Sequence, residues 1–333
     1  MFREFFRFES GFRFRSLMFW IFSLLFFGLT LLVTGWDETF LPGAGGKIAR
    51  NAPFAISIFF IIISQLGMFV AAAFVANSVS RDDALKTDSL FFSSPVSRHG
   101  YLAGRFLGSL LPAIVIVVFA ALGHMLGSIG PLHPPEKLVP ITLGPYAAAI
   151  GLFVIPNFFV MGALAFTLAT LTRRVLNAYI GLIVVFVLVF LADSALSDLD
   201  YRTTLALIDP FGGTAWSYVT KYWTVAEKNT QVVLLDSYLL LNRAIWIGVG
   251  VALLAFTHAR FRMQIAGGGK RRKPPAPEVT EAPSRAANVP VPKAALDFSA
   301  RAQLAQLLSQ TWLELRWVTR RIGFVVLVGF GMF

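Results

Sequence analysis

The sequence of 333 residues contains no cysteine, which excludes disulfide bonds, thiolate metal sites and cysteine nucleophiles. Charge is also scarce, because only 14% of the residues are Asp, Glu, Lys or Arg, whereas soluble domains average about 25%. The few histidines are scattered along the chain, which argues against a metal site. These absences disfavour a soluble enzyme, and we expect no catalytic residue, metal ion or cofactor in this chain.

Long apolar runs stand where the charge is missing. Hydrophobic residues make up 56% of the chain and the mean hydropathy is +0.69. A membrane-crossing helix needs about 20 apolar residues. The sequence therefore predicts an all-α, polytopic membrane protein of about six transmembrane helices, without a cleavable signal peptide. The predicted spans are Leu17–Thr34, Ala52–Ala76, Phe106–Leu126, Tyr146–Leu171, Val175–Ala192, and Ala244–Thr257 extended by its flanks.

Basic residues concentrate in alternate loops between these runs. The net charge of +11 would suit nucleic acid, but in a membrane protein it is more typical of loops beside anionic lipid. We therefore expect the lipid bilayer, and no nucleic acid, as a partner. By the positive-inside rule both ends of the chain are predicted to be cytoplasmic. The loops assigned to that side hold Arg3, Arg7, Arg13, Arg15, Arg81, Lys86, Arg98, Arg105, Arg173, Arg174, Arg260, Arg262 and the basic run 270–273.

Residues 1–16 predict a cytoplasmic amphipathic helix that leads into the first span. Its apolar positions recur near helical spacing, and its charged positions lie opposite. The apolar positions are Phe2, Phe5, Phe6 and Phe12, and the charged ones are Arg3, Glu4 and Arg7. We interpret this segment as an interfacial helix in the headgroup plane, with Phe2, Phe5, Phe6 and Glu9 as its site residues. A simple basic anchor is the alternative.

Three further segments follow. Residues 17–259 hold the six spans, and residues 260–297 form a basic, Pro-rich linker with too little apolar surface to become ordered. Residues 298–333 resemble the N-terminal part of the same chain, because Leu313-Glu314 and Trp317 repeat the spacing of Phe8-Glu9 and Phe12. We expect a second permease-like repeat whose first span is cut short. Chance similarity is the alternative.

The predicted cytoplasmic segment Ser80–Arg105 contains a candidate docking helix. Ser80 and Asp83 form a capping-box pattern, and Pro95 would end the short helix that follows. Ser97 is placed to cap the next helix, which runs into the third span. An ordinary solvated loop is the alternative. The residues assigned to the docking helix are Asp82, Asp83, Leu85, Lys86, Asp88 and Leu90.

The six runs contain no Asp, Glu, Lys or Arg within the boundaries given above. Ion-coupled carriers usually keep such residues near the membrane centre. We therefore expect the energy for any transport to come from outside the spans. Asn157 and Asn177 are the polar exceptions. A stripe of glycines four residues apart favours close packing against another helix; it consists of Gly100, Gly104 and Gly108.

The long segment Asp193–Arg243 is predicted to lie on the outer side of the membrane. Gly212-Gly213 predicts a turn, and Tyr222-Trp223 suits the aromatic belt of a membrane interface. Ligand binding by this segment is the alternative.

Five short stretches together carry a resemblance to a known family. They are residues 88–98 (DSLFFSSPVSR), 101–108 (YLAGRFLG), 209–212 (DPFG), 222–229 (YWTVAEKN) and 241–246 (LNRAIW). The first two resemble the loop between the second and third spans of type-2 ABC transporter permeases. The last three resemble a bacterial branch of that family, in which two permease halves are followed by a fused zinc aminopeptidase domain.

The resemblance implies several properties. In that family the loop after the second span carries the coupling helix that docks on the ATPase, and many members have a Glu there, where this chain has Asp82, Asp83 and Asp88. The resemblance implies a multi-pass protein of the bacterial inner membrane that is part of a longer chain. Its implied partners are an ABC-type ATP-binding subunit and a second permease half or protomer.

The leading hypothesis is therefore the permease subunit of an ABC-type exporter, which forms the translocation path and has no ATPase or peptidase motif of its own. The runner-up is a membrane scaffold or anchor for a soluble domain, without transport of its own. A secondary carrier is disfavoured because the spans as drawn are uncharged.

Overall fold

The computed structural model describes residues 1–36, 47–85, 96–129, 137–195, 202–232, 237–261 and 299–319. Within these ranges every regular element is a helix, which confirms the predicted all-α fold. The chain divides into two units, Met1–Ala266 and Gly267–Phe333.

The first unit is built from eleven described helices and one short π-helical turn. In chain order they are α1 (Phe2–Phe14), α2 (Leu17–Trp36), α3 (Pro53–Ala84), α4 (Arg98–Gly127), α5 (Leu143–Ala149), the π turn (Ile150–Val154), α6 (Ile155–Thr172), α7 (Val175–Ala195), α8 (Arg202–Ile208), α9 (Gly213–Val219), α10 (Val225–Thr230) and α11 (Ser237–Arg260).

Six helical stretches among the described residues are long and apolar enough to cross a membrane, as the sequence predicted. They are α2, α3, α4, the continuous stretch from α5 to α6, α7 and α11. More than half of the α3, α4 and α5–α6 spans is buried, against less than a third of the other three. The first set is therefore the core of the bundle, and α2, α7 and α11 leave most of their surface for lipid.

The core is packed mainly with aromatic and small side chains. Phe60, Phe106, Phe153 and Phe158 are each at most 2% exposed, and they belong to one continuous cluster of buried apolar residues that joins α3, α4 and the α5–α6 stretch. Ala and Gly let neighbouring helices approach closely enough for these rings to interdigitate, which is typical of membrane helix packing.

The fourth span contains a widened turn. Pro156 has no N–H to donate to the carbonyl of Leu152, and its ring clashes with that carbonyl in a regular α-helix. The chain accommodates the proline by forming one π turn at Ile150–Val154 before α6 begins. At the other end α6 stops at Arg173, whose φ of 56° is left-handed, and α7 begins two residues later. The fourth and fifth spans are therefore joined by a tight turn.

Three predicted spans are shorter than the helices that contain them. The helix of the second span, α3, continues past Ala76 to Ala84, and that of the third span, α4, begins at Arg98 rather than Phe106. The helix of the sixth span, α11, extends beyond Ala244–Thr257 on both sides, as expected, and begins at Ser237. Apolar runs mark the part of a helix that needs lipid, whereas the helix itself continues wherever its polar residues find partners inside the protein.

The described part of the second unit is one helix, α12 (Ala300–Thr319). Leu313 and Glu314 lie within it, as Phe8 and Glu9 lie within α1. Leu304, Leu308 and Trp312 follow one another at intervals of four residues, so they share one face of this helix.

Candidate functional site

The glycine stripe of α4 is the surface on which α1 lies. A Cβ built on Gly104 would be 2.5 Å from the Cβ of Phe5, and one built on Gly108 would be 2.9 Å from the Cβ of Glu9. A Cβ on Gly100 would be 3.1 Å from the backbone nitrogen of Phe2. Only residues without a side chain allow the two backbones to approach this closely. The predicted close packing is confirmed, and its partner is the N-terminal helix.

This close approach buries Glu9 at the centre of an ion cluster. The Glu9 side chain is 0% exposed, and its carboxylate accepts hydrogen bonds from three arginines. Arg13 Nε donates to Oε1 at 3.0 Å, and Arg81 Nη2 donates to Oε2 at 2.8 Å. Arg105 Nη1 donates to the same Oε2. One carboxylate of α1 thus joins the end of α3 to the beginning of α4.

Asp82 is the second carboxylate of the cluster. Arg105 Nη2 donates to both of its oxygens, at 2.8 Å to Oδ1 and at a still shorter distance to Oδ2. The hydroxyl of Tyr101 also donates to Oδ2, at 2.8 Å. Arg105 and Tyr101 are each 1% exposed and Asp82 is 4% exposed. Arg105 therefore bridges Glu9 and Asp82 inside the protein.

We call the set Glu9, Arg13, Arg81, Asp82, Tyr101 and Arg105 the α1-end cluster. It holds three guanidinium groups against two carboxylates, and aromatic rings surround it: Arg81 lies 4.1 Å from the ring centre of Phe12, and Arg13 lies 5.3 Å from that of Phe74. Burial lowers the pKa of Arg13, and the neighbouring Glu9 carboxylate opposes part of this shift. A buried charge is tolerated only with such partners.

The structure corrects the predicted docking helix at its start. Ser80 is inside α3, which continues to Ala84, so the prediction that Ser80 and Asp83 cap a new helix is wrong. The helix α3 continues through the capping-box pattern because Asp82 finds buried partners there. Asp82 lies in the α1-end cluster rather than at an exposed rim. Only the backbone of Asp83 is described, as part of α3.

The structure describes only some of the residues between Asp83 and Ser97. Leu85 follows the end of α3 and is 65% exposed. Lys86, Asp88, Leu90 and Pro95 lie outside the described residues. Ser97 caps α4 as predicted, because its hydroxyl accepts a hydrogen bond from the N–H of Gly100 at 3.3 Å.

The predicted interfacial helix is present as α1, but three of its four assigned residues face protein. Phe5 and Phe6 are half-buried against the glycine stripe, and Glu9 is fully buried. Phe2 is 44% exposed. Phe8 and Phe12 are exposed at the edge of the α1-end cluster beside Arg81, and their rings stack with centres 6.5 Å apart. A helical-wheel pattern could not distinguish lipid from a flat glycine surface as the partner of these phenylalanines.

A second polar cluster lies towards the opposite end of the bundle, centred on Arg243 of α11. Arg243 is 5% exposed and donates from Nη1 to the side-chain oxygen of Asn157 at 2.8 Å. It donates from Nε to the side-chain oxygen of Asn242 at 2.9 Å. Asn157 in turn donates to Ser64 Oγ at 2.8 Å. We call Arg243, Asn157, Asn242 and Ser64 the Arg243 cluster.

The Arg243 cluster joins two of the stretches that carried the family resemblance. Asn242 donates to the carbonyl of Asp209 at 2.9 Å, and Asn157 donates to the carbonyl of Phe211 at 3.2 Å. Asp209 holds the turn by accepting from the N–H of Phe211 and of Thr214, both at 2.8 Å. Gly212 has φ 73°, and a Cβ there would collide with Arg243. The predicted turn is confirmed.

Residues 222–229, another of the stretches that carried the resemblance, connect to the segment that precedes α3. Thr224 and Glu227 form a reciprocal capping box that begins α10. Asn229 accepts from the N–H of Ala49 at 2.8 Å and donates to the carbonyl of Lys47 at 3.0 Å. Tyr222 is 83% exposed, which fits its predicted interfacial position.

The expectation that the spans hold no charge is correct only for the boundaries drawn from the sequence. The longer helices contain Arg81 and Asp82 in α3, Arg105 in α4 and Arg243 in α11. Arg81 and Arg105 were predicted to lie in the cytoplasmic segment between the second and third spans, and their pairing with Glu9 was not predicted. The available signal was Glu9 itself, an acidic residue among phenylalanines at the spacing of the apolar face.

Comparison with known proteins gives the family. The family model described as ABC-2 family transporter protein matches residues 6–264. The chain belongs to the ABC-2 transporter family. None of the curated proteins compared with the chain matches it. The match begins within α1 and covers all six spans, so residues of both the α1-end cluster and the Arg243 cluster lie inside the ABC-2 region. The first unit is thus a multi-pass membrane domain of a transporter.

Proposed function

We propose that residues 1–266 act as the permease subunit of an ABC-type exporter, driven by a separate ATP-binding subunit that docks on the segment between α3 and α4. The observation that carries this proposal is the α1-end cluster, because it holds both ends of that segment. Arg81 and Asp82 stand just before the segment, and Tyr101 and Arg105 stand just after it. The same cluster fixes α1 through Glu9.

A segment held in this way is suited to transmit movement. A partner that pushes on a loose loop only deforms the loop. When buried ion pairs join the helices at the two ends of the segment, displacement of the segment moves α3 and α4 together. Both helices belong to the buried core of the bundle, so such a displacement reaches the interior of the membrane domain.

The placement of charge supports an energy source outside the spans. Asp82 is the single acidic residue within the apolar stretches Leu17–Gly35, Pro53–Asp82, Arg98–Gly127, Leu143–Thr172, Val175–Ala192 and Tyr238–Arg260 of the described chain. It is bonded to Arg105 and Tyr101. A proton- or ion-coupled carrier needs an acid that exchanges its cation during the cycle. An acid fixed by a guanidinium and a phenol is poorly suited to that task.

The exposed side chain of Leu85 provides the test of docking. Leu85→Asp should weaken binding of the ATP-binding subunit roughly 30-fold, since loss of a buried apolar anchor costs about 2 kcal/mol or more. Lys86→Ala should weaken binding much less. Leu176→Asp is the matched control, because Leu176 is an exposed leucine in the first turn of α7. Co-purification and permease-stimulated ATP hydrolysis are measured at equal amounts of inserted protein. Unchanged binding and hydrolysis with Leu85→Asp would refute the docking role.

We further propose that this permease is in the bacterial inner membrane with α1 on the cytoplasmic side. The chain has no cysteine, so single cysteines can be labelled without background. Tyr222→Cys should react with an impermeant maleimide in intact cells, whereas Arg3→Cys should react only after lysis. Both positions are exposed, so the reverse pattern would invert the topology.

A second permease half that starts near Ala300, and a peptidase domain beyond it, belong to the same proposal. The helix α12 supports it, because Leu313-Glu314 lies within α12 as Phe8-Glu9 lies within α1. The gene sequence after the codon for Phe333 tests this: an apolar run that completes a span is expected, and an immediate stop codon would contradict the proposal.

A further inference from the structure

A groove of about 490 Å³ lies between α4, α6 and α11. Its walls are apolar over most of their length and include Phe106 of α4, Phe159 of α6 and Leu254 of α11. This volume is within the range of about 300–1,000 Å³ that is typical of small-molecule sites. The groove is separate from both polar clusters, since none of their residues lines it.

The groove is open to the side of the bundle that faces lipid. Val251, on its α11 wall, is 53% exposed, and Leu107, on its α4 wall, is 39% exposed. Both lie within candidate membrane spans. A molecule can therefore enter from the bilayer, without passing through the end of the bundle.

One end of the groove is polar and basic. His99 of α4 and His258 of α11 line it with stacked rings, whose centres are 4.1 Å apart and whose planes differ by 12°. Arg98 lies beside them and donates from Nη1 to the carbonyl of His258 at 3.1 Å. None of the described residues that line the groove is acidic. This end therefore suits an anionic group.

One nitrogen at the basic end has no hydrogen-bond partner among the described residues. The Nε2 atom of His258 is buried and makes no hydrogen bond to any described residue. Buried polar atoms without partners are rare, because each has lost its hydrogen bond to water.

We propose that the groove binds one anionic phospholipid, with an acyl chain along its apolar walls and the phosphate beside Arg98, His99 and His258. The distance along α11 from Val251 to His258 is about 10 Å, enough for the upper part of one chain. An apolar wall open to the bilayer selects an aliphatic chain, and the basic end selects an anionic headgroup over a zwitterionic one.

Native mass spectrometry of the purified full-length chain tests the site. Dioleoyl-phosphatidylglycerol and dioleoyl-phosphatidylcholine are added in turn, and the number of retained lipids is counted. The wild type should retain one phosphatidylglycerol at least 10-fold more strongly than phosphatidylcholine. Arg98→Gln combined with His258→Gln should reduce this preference at least 5-fold, while Arg174→Gln, which removes an exposed charge at a helix junction outside the groove, should preserve it.

A second variant tests the apolar part of the site. Ala255 is exposed and lines the groove, so Ala255→Phe can fill the groove without repacking the core. It should reduce retention of both lipids at an unchanged melting temperature. A headgroup preference that survives the Arg98→Gln/His258→Gln substitution would overturn the proposal. So would the appearance of a dimer of the chain that Ala255→Phe dissociates, because the groove would then be a protein interface.

Discussion

The α1-end cluster and the Arg243 cluster both bury arginine within a membrane domain, but they satisfy it with different partners. Arg105 is bonded to two carboxylates that come from different helices, Glu9 of α1 and Asp82 of α3. Arg243 is bonded to the neutral amide oxygens of Asn157 and Asn242. The first arrangement contains opposite charges in direct contact. In the second, amide oxygens contact the positive charge directly and the Asp209 carboxylate attracts it at longer range.

This difference explains what each cluster does for the fold. Opposite charges in a buried site depend on each other, because removal of one leaves the other without compensation. The α1-end cluster therefore makes the positions of α1, α3 and α4 interdependent. Neutral amides depend less on their cation, so the Arg243 cluster fixes the turn around Asp209 and Gly212 without the same interdependence.

The largest loss of stability is expected when Arg105 is replaced. Arg105→Met keeps an unbranched side chain but leaves two buried carboxylates without their common partner, which should cost about 3–5 kcal/mol of stability. Thermal unfolding in detergent measures this loss. Lys can approach only one of the two carboxylates as closely, so Arg105→Lys should recover part of the stability. A loss no larger than that of Arg243→Met would remove the contrast between the clusters.

A smaller effect is expected for Arg243→Met. This change removes the arginine N–H donors from the side-chain oxygens of Asn157 and Asn242, at a cost of about 1–3 kcal/mol. The same unfolding assay applies. Hydrogen exchange should increase most in the turn at Asp209–Gly212 and not in α1. Increased exchange in α1 would show that the two clusters are not independent.

The smallest effect is expected at the glycine stripe. Gly104→Ala places a Cβ 2.5 Å from that of Phe5, so α1 must shift, and the loss should be about 1 kcal/mol after the gain in helix propensity. Gly11→Ala is the matched control, because nothing lies within 4 Å of its Cβ. It should stabilise the protein slightly. Equal melting temperatures for the two variants would argue against close packing of α1 on α4.

The bundle could be predicted from the sequence because lipid imposes a simple rule. Runs such as Val175–Ala192 must be apolar along their whole length to cross a membrane, and they were recognisable without further information. The glycine stripe was predictable for a similar reason, since its spacing places three residues without side chains on one face of α4.

The candidate site was predictable only in part because it depends on partners distant in sequence. Arg105 and Glu9 are 96 positions apart, and each looks like an ordinary charge near a membrane surface. The predicted second span ended too early, at Ala76, for the same reason. The helix α3 can continue past Asp82 because Arg105 and Tyr101 compensate the burial of its carboxylate. Local patterns contain no information about such compensation.

The most direct test of this account is a double-mutant cycle between Glu9 and Arg105. Unfolding free energies are measured for Glu9→Gln, Arg105→Met, the double variant and the wild type. The stability loss of the double variant should be smaller than the sum of the two single losses by about 2 kcal/mol or more, since each charge is costly only without the other. Additivity within about 0.5 kcal/mol would show that α1 is not coupled to α4 through this ion pair and would contradict the account.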